Sequence, residues 1–260
     1  MQRELIVKWL LLTFTTCAVN CNKVCDIHAT IIRRIENEGF HRDVNSLVEI
    51  VTGHSTLWGE CMLILEEHMP SGLYVNPDQL ADLRRVNQLQ GCPIGKVDIE
   101  APQKDSTPHS VQVYSHLNRT ENLLSAHLSL PFHVRYHSPI AHGGYSIVKL
   151  GAPSLLLRCQ NDVQCVQGRR VQAPCRPCKT EMCQWVNLTY KTNSPRINMY
   201  VPVGNSSHQG LVTLVTLLVT CGGCVYILSA IADSYSNARS RRVRHSRQSP
   251  CPSECNPTHK

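Results

Sequence analysis

Few residues of this 260-residue chain have the types and spacing that catalysis requires. Cys175-Arg-Pro-Cys178 has the separation of a thiol redox motif, but prolines surround it and no apolar helical stripe follows it. Because a redox motif begins a helix, we interpret this segment as a loop. Zinc would need a second such pair of ligands, and the segment supplies one. A luminal thiol oxidoreductase built on Cys175 and Cys178 is kept as an alternative hypothesis, although the loop context does not favour it.

Two groups of polar side chains could bind a ligand. Asp98 and Glu100 lie on one face of an extended segment, where they could hold a metal and a nucleotide sugar. His133, Arg135 and His137 share one face of a predicted strand and could bind a metal or phosphate. Solvated charges at a strand end, and the polar face of a half-buried strand, explain these patterns more simply. Since the sequence has no nucleophile elbow, phosphate-binding glycine loop or HExxH motif, we predict no catalytic residue, metal or cofactor.

Strands must position most of these side chains, because apolar and polar residues alternate along much of the chain. From Ala126 to Tyr136 the alternation is regular, and Pro131 within it indicates an edge or a bulge. Shorter runs of the same kind occur at 46–51, 61–65, 109–117, 145–150 and 197–203. Short strands separated by turn residues predict an all-β, sandwich-like domain.

One short helix interrupts the strands. Asn76 is its predicted N-cap, Pro77 begins the first turn, and Gln79 has the position of a capping-box partner. Its apolar face is predicted to consist of Leu80, Leu83 and Val86.

A single C-terminal transmembrane helix is predicted at 210–232. The 21 residues from Leu211 to Ile231 carry no charge, and a helix of that length covers the hydrocarbon core of a bilayer, about 30 Å. Basic residues follow it closely and none immediately precedes it, which puts the C-terminus in the cytosol. We therefore predict a luminal domain at 21–209 and a cytosolic tail at 233–260. The basic residues next to the span are Arg239, Arg241, Arg242, Arg244 and Arg247.

The net charge of +7 does not indicate nucleic-acid binding, because the tail accounts for much of it. That tail has six basic and two acidic residues, and the luminal body is nearly neutral. A neutral body offers no stripe that could follow phosphates.

A signal peptide is predicted at 1–20. Arg3 and Lys8 precede a short apolar run, and Thr16-Cys17-Ala18 has the small residues that signal peptidase accepts.

Cysteine positions agree with an oxidising compartment. Eight of the fourteen cysteines fall in the luminal body, apart from Cys21, whose place depends on the cleavage site, and they could form four disulfides, whose pairing the sequence does not fix. Five of them, between positions 159 and 183, suggest a local knot that closes the membrane-proximal part of the domain. Cys221 and Cys224 lie in the span, where the intervening glycines favour close helix packing. The eight candidates are Cys25, Cys61, Cys92, Cys159, Cys165, Cys175, Cys178 and Cys183.

Three glycosylation sequons, at Asn118, Asn187 and Asn205, all lie on the predicted luminal side. Asn205 is close to the span, so we favour Asn118 and Asn187.

Six stretches, in order, form a specific series: GFHRD (39–43), MPSGLYVNP (69–77) continuing into LADL (80–83), DIEAP (98–102), LPFHVRYHSP (130–139), CQW (183–185) and VPVG (201–204). The series resembles the phosphatidylinositol-glycan biosynthesis class X family, PIG-X, which is related to fungal Pbn1 proteins. The resemblance covers the chain from about Cys25 to the end of the span. The basic tail and the Cys-Arg-Pro-Cys segment depart from the family pattern.

The resemblance implies a non-catalytic subunit in the endoplasmic reticulum membrane. Members of the family stabilise glycosylphosphatidylinositol (GPI) mannosyltransferase I, whose multi-span catalytic partner, PIG-M, adds the first mannose from dolichol-phosphate mannose. The chain would then have no small-molecule substrate of its own. His41, Arg42 and Asp43 are the partner-contact candidates, because a core does not need a run of polar residues. The sandwich pattern and the sequons leave a cell-surface receptor or adhesion ectodomain as the alternative.

Overall fold

The computed structural model describes residues 27–52, 59–161 and 168–247. Contacts divide the chain into one unit that ends at Gly204 and a second that begins at Asn205. The predicted signal segment 1–20, Cys25, Cys165 and the last residues of the tail lie outside the described residues.

Fourteen β-strands form most of the described part of the first unit. The six segments predicted from alternation fall in β2, β3, β6, β8, β9 and β14, which confirms the prediction of an all-β domain. The strands are β1 Ile27–Glu36, β2 His41–Thr52, β3 Cys61–Met69, β4 Leu73–Tyr74, β5 Gln90–Ile94, β6 His109–His116, β7 Asn118–Thr120, β8 Leu123–Val134, β9 Gly144–Gly151, β10 Ser154–Cys159, β11 Arg169–Pro174, β12 Met182–Leu188, β13 Lys191–Thr192 and β14 Arg196–Val203.

The strands form three sheets around one principal core. The first has the order β13-β1-β2-β8-β4, with β7 also paired to β8; the second has the order β11-β12-β10-β3-β6-β5; the third pairs β14 with β9. Their inward side chains pack together, as Ile31 and Phe132 of the first sheet, Leu63 and Leu155 of the second and Leu150 of the third illustrate. Burying apolar faces of separate sheets against each other is the arrangement of a sandwich.

Strand β8 follows the predicted alternation as far as Val134, except that Pro131 is buried, and then departs from it. Pro131 lies where β8 pairs with β2 on one side, while its other side is paired only near the two ends, with β7 and β4. Beyond the strand the alternation reverses, because Arg135 is buried and Tyr136 is 75% exposed. The expectation that Arg135 lies on a polar face and Tyr136 in the core was therefore wrong.

The second sheet curls until its two edges meet. Tyr114 of β6 donates a hydrogen bond to the Pro174 carbonyl at the end of β11, with 3.3 Å between the heavy atoms. A disulfide joins Cys92 of β5 to Cys178 just after β11, although the order of the sheet puts β5 and β11 at opposite edges. The concave face encloses a second, smaller core of Ile64, Tyr114, Leu156, Ala173 and Trp185.

Three disulfides are described, and all of them lie in the second sheet or its connections. Cys61 pairs with Cys159 across neighbouring strands, Cys92 pairs with Cys178, and Cys175 pairs with Cys183. Only the last is local, with a separation of 8 residues, so the expected local knot is largely replaced by two long-range links.

A buried ion pair connects all three sheets. Arg33 of β1 donates to both oxygens of Glu67 of β3, at 2.6 and 2.8 Å, and also to the carbonyl of Gly151 at the end of β9. Both side chains are almost completely buried. Burial raises the pKa of Glu67 to about 7, while the charge and hydrogen bonds of Arg33 act in the opposite direction.

Helix α1, Pro77–Arg85, begins as predicted, because the Asn76 side chain accepts hydrogen bonds from the backbone N–H groups of Asp78 and Gln79. The helix ends before Val86, which is exposed rather than part of the apolar face.

Helix α2, Gln209–Arg247, dominates the second unit. The stretch Ser206–Ala238 is long and apolar enough to cross a membrane, and the mean hydropathy over 18 consecutive residues within it reaches 2.3.

Candidate functional site

Five of the six stretches that carry the family resemblance converge where β2 begins and β8 ends. We call this region the β2–β8 end. Residues 183–185 lie elsewhere, in the second core. Three hydrogen bonds connect four of these stretches: Val134 N–H to Phe40 O at 2.8 Å, Arg135 N–H to Gly72 O at 2.9 Å, and the Arg135 guanidinium to Ala101 O at 2.6 Å. The stretch 201–204 is joined through Ile140, the residue that follows 130–139, whose N–H donates to Gly204 O at 3.0 Å.

Four side chains at the β2–β8 end stack in a row, which we call the ring row. The His41 and His133 rings meet edge to face with 4.6 Å between centroids, and Tyr74 stacks on His133 at 4.9 Å. The guanidinium of Arg135 lies over the Tyr74 ring, 4.6 Å from its centroid. Such contacts stabilise a fixed arrangement of rings and charge at a surface.

Local structure explains why the ring row has this order. The antiparallel register places His41 opposite His133, and β4 places Tyr74 opposite His133 on the other side. Gln79, from the first turn of α1, has its Oε1 3.3 Å from Nε2 of His133. Sequence reasoning singled out neither Tyr74 nor Gln79 for this site, although Tyr74 lies in one of the resembling stretches and Gln79 lies between the two parts of that stretch.

The surroundings of His133 favour its neutral form. Burial lowers the pKa of His133, the neighbouring His41 lowers it further, and Asp43 opposes them. Burial also lowers the pKa of Arg135, whereas the nearby Tyr74 and Asp98 act to raise it. The site therefore combines a buried guanidinium with two half-buried rings and the exposed ring of His41.

The three partner-contact candidates differ in how they are held. His41 is exposed. Arg42 donates from Nε to the Gly39 carbonyl at 2.8 Å and from Nη2 to the Tyr200 carbonyl at 3.3 Å. Asp43 accepts a hydrogen bond of 2.5 Å from the Asn37 side chain. Arg42 and Asp43 thus stabilise the turn between β1 and β2, whereas His41 belongs to the ring row.

The polar groups considered for ligand binding have structural contacts. Asp98 accepts hydrogen bonds from the backbone N–H groups of Glu100 and Ala101, so it stabilises a turn in the loop after β5 rather than a strand end. His137 Nδ1 lies 2.9 Å from the Arg135 carbonyl oxygen. Among the described residues, no group of three or more His, Cys, Asp or Glu side chains is arranged to hold a metal ion.

The geometry of the Cys-Arg-Pro-Cys segment does not favour redox chemistry. Its two cysteines bond to different partners, Cys175 to Cys183 and Cys178 to Cys92. A redox motif forms its disulfide between its own two cysteines.

The three sequon asparagines lie in different environments. Asn118 is exposed in β7, whereas Asn187 is half-buried in β12, between β10 and β11. Asn205 accepts a hydrogen bond from the backbone N–H of Ser207 and caps the short 3-10 helix Ser206–His208.

These features define a class: a disulfide-containing β-sandwich with an ordered row of rings and a buried cation, followed in the chain by a helix able to cross a membrane. The chain belongs to the PIG-X / PBN1 family, whose model matches residues 37–232.

Curated mammalian relatives support this assignment. A rat protein named "GPI alpha-1,4-mannosyltransferase I, stabilizing subunit" is 33% identical over 199 residues, which cover 75% of this chain and 78% of the relative. The human protein of that name is 33% identical over 205 residues, covering 76% of this chain and 78% of its own length. The mouse protein is also 33% identical, over 75% of this chain.

Proposed function

We propose that this chain is the non-catalytic, stabilising subunit of GPI mannosyltransferase I. Similarity over three quarters of the chain to proteins that carry this name is the observation that supports the proposal most directly. The β2–β8 end adds geometric support, because most of the stretches typical of the family meet on one surface. Its buried groups serve to order that surface.

The proposal includes a topology and a partner. The chain is a single-pass protein of the endoplasmic reticulum membrane, with the β-domain in the lumen and the basic tail in the cytosol. Its partner is the multi-span catalytic subunit, PIG-M. The luminal domain and the span are then both available to stabilise a membrane enzyme from one side.

We propose that His41, presented by the ring row, contacts the catalytic subunit. In the test, the chain or a variant is expressed in cells that lack it, and the amount of catalytic subunit that co-purifies with it is measured. His41→Ala is expected to lower the recovered catalytic subunit several-fold. Because His41 is exposed, the His41→Ala variant itself is expected to accumulate to the same level as the unsubstituted chain. His127→Ala is the matched control, because His127 is an exposed histidine of β8, in the same sheet but outside the β2–β8 end.

Each outcome bears on a different part of the proposal. Failure of the unsubstituted chain to recover the catalytic subunit, or to restore surface display of GPI-anchored proteins, would refute the assigned function. Equal recovery with His41→Ala and His127→Ala would refute only the contact. Glycans that resist the enzyme specific for immature chains would contradict residence in the endoplasmic reticulum and favour a surface receptor.

A further inference from the structure

The outer face of the β9–β14 sheet exposes large apolar side chains. Tyr145 is 67% exposed, Ile147 is 52% exposed and Tyr200 is 60% exposed, whereas Val148 and Met199 on the inner face are buried. Ile147 lies opposite Tyr200 in the register, and Tyr145 lies opposite Pro202, so all four outer residues form one continuous patch. We call this patch the tyrosine face.

The outer face changes character along the strands. At one end it consists of the tyrosine face; further along it becomes polar, at the pairs Lys149–Asn198 and Arg196–Gly151. The apolar end is the end at which β14 finishes. The exposed Ile140 lies beside it, joined by its backbone to Gly204.

The covalent chain limits how far this apolar end can be from a bilayer. Val203, the last residue of β14, precedes Leu211, the first residue of the uncharged run, by eight positions. Eight residues span at most about 28 Å when fully extended. The tyrosine face therefore lies at the end of the domain that the chain tethers to the membrane.

We propose that the tyrosine face rests in the interfacial layer of the bilayer, against phospholipid headgroups and the adjoining acyl chains. Tyrosine suits that layer, because its ring is apolar and its hydroxyl is polar. The change from apolar to charged residues along the face matches the change in polarity from the edge of the hydrocarbon to water. Contact with a protein would not by itself require the outer face to become more polar with distance from the end that is attached to the membrane.

Site-specific photo-crosslinking in microsomes tests this directly, since both lipids and proteins are present there. Benzoylphenylalanine replaces Tyr145 or Tyr200 in the full-length chain, and Ile32 in a control. Ile32 is also an exposed apolar strand residue, 39% accessible, but it lies on β1 of the first sheet. After irradiation, phospholipid adducts are measured with radiolabelled phosphatidylcholine and by mass. Non-reducing electrophoresis verifies that each variant has formed its disulfides.

We expect phospholipid adducts at positions 145 and 200 at least about tenfold more often than at position 32. Adducts to a protein at positions 145 and 200 would overturn the proposal and identify a protein occupant instead. Absence of any adduct, or equal lipid labelling at position 32, would overturn it as well. The result does not depend on the identity of the enzyme that the chain stabilises.

Discussion

The first and second sheets achieve order in different ways. In the first sheet, β1 pairs with β2 over 10 residue pairs and β2 with β8 over 11, and its described strands contain no cysteine. In the second sheet the longest ladder, between β3 and β6, has eight residue pairs, and β10 pairs with β12 over only three. All three described disulfides link this sheet or its connections. Long ladders hold the sheet that presents the ring row, while covalent links hold the sheet that must curl.

The difference follows from what each sheet does. A curled sheet brings distant segments together, and closing such loops costs entropy that disulfides reduce in the unfolded chain. The ring row instead needs two strand ends in accurate register, which long antiparallel pairing provides. Covalent constraint is therefore concentrated away from the proposed contact surface.

The largest effect should come from breaking the ion pair that joins the two sheets. Glu67→Ala leaves Arg33 buried without its carboxylate, which costs about 3 to 5 kcal/mol of unfolding free energy. Hydrogen exchange measured by mass spectrometry on the full-length protein should accelerate in both sheets, because the pair connects β1 to β3.

A volume-preserving double variant is the control for this prediction. Arg33→Met combined with Glu67→Leu removes both charges and should recover most of the stability. Faster exchange in only one sheet after Glu67→Ala would show that the two sheets do not unfold as one unit.

A smaller, more local effect is expected from opening the curled sheet. Replacing Cys92 and Cys178 by serine should cost about 2 to 4 kcal/mol, since their disulfide closes a long loop across the sheet. Exchange should accelerate most in β5, β6, β11 and β12 and less in β2 and β8. Serines at Cys175 and Cys183, which enclose a short loop, should cost less. An equal acceleration in the first sheet would contradict the division between ladders and links.

Sequence was sufficient where structure depends on neighbours along the chain. Asn76 and Pro77 begin the helix as predicted, and alternation identified β8 and β14, because caps and strand faces are local properties. The family resemblance also came from sequence, through the order of its stretches.

Sequence failed where structure depends on the curvature of sheets. The spacing of cysteines between positions 159 and 183 suggested a local knot, but curling brings Cys178 to Cys92, 86 residues away. The buried role of Arg135 was missed because β8 ends one residue earlier and the following segment turns the side chain inward. Neither the curling of the second sheet nor the inward turn of the Arg135 side chain produces a periodic pattern in the sequence. The ring row was equally hidden, since His41, Tyr74 and His133 become neighbours only through strand pairing.

The smallest expected effect distinguishes the two sheets by pH. His133 has a lowered pKa when folded, so the unfolded chain takes up the proton first as the pH falls through about 6.5, and stability is lost below that value. Glu67 acts in the opposite sense, because its raised pKa makes its contribution fade as the pH rises from 4.5 towards about 7. His133→Phe keeps a ring against Tyr74 and cannot titrate, so only the contribution of His133 differs from the unsubstituted chain.

Between pH 7.5 and 5.5 the unsubstituted chain should therefore lose more unfolding free energy than His133→Phe. We expect a difference below about 1 kcal/mol, because the ring is partly solvated. Chemical denaturation at several pH values measures this difference, and exchange rates should attribute it to β2, β4 and β8. His127→Phe, at an exposed position of the same strand, should follow the unsubstituted chain more closely. If His133→Phe had the same pH profile as the unsubstituted chain, the ring row would not be the pH-sensitive part of the first sheet. Removing the Cys92–Cys178 disulfide should leave this profile unchanged, because a disulfide does not titrate.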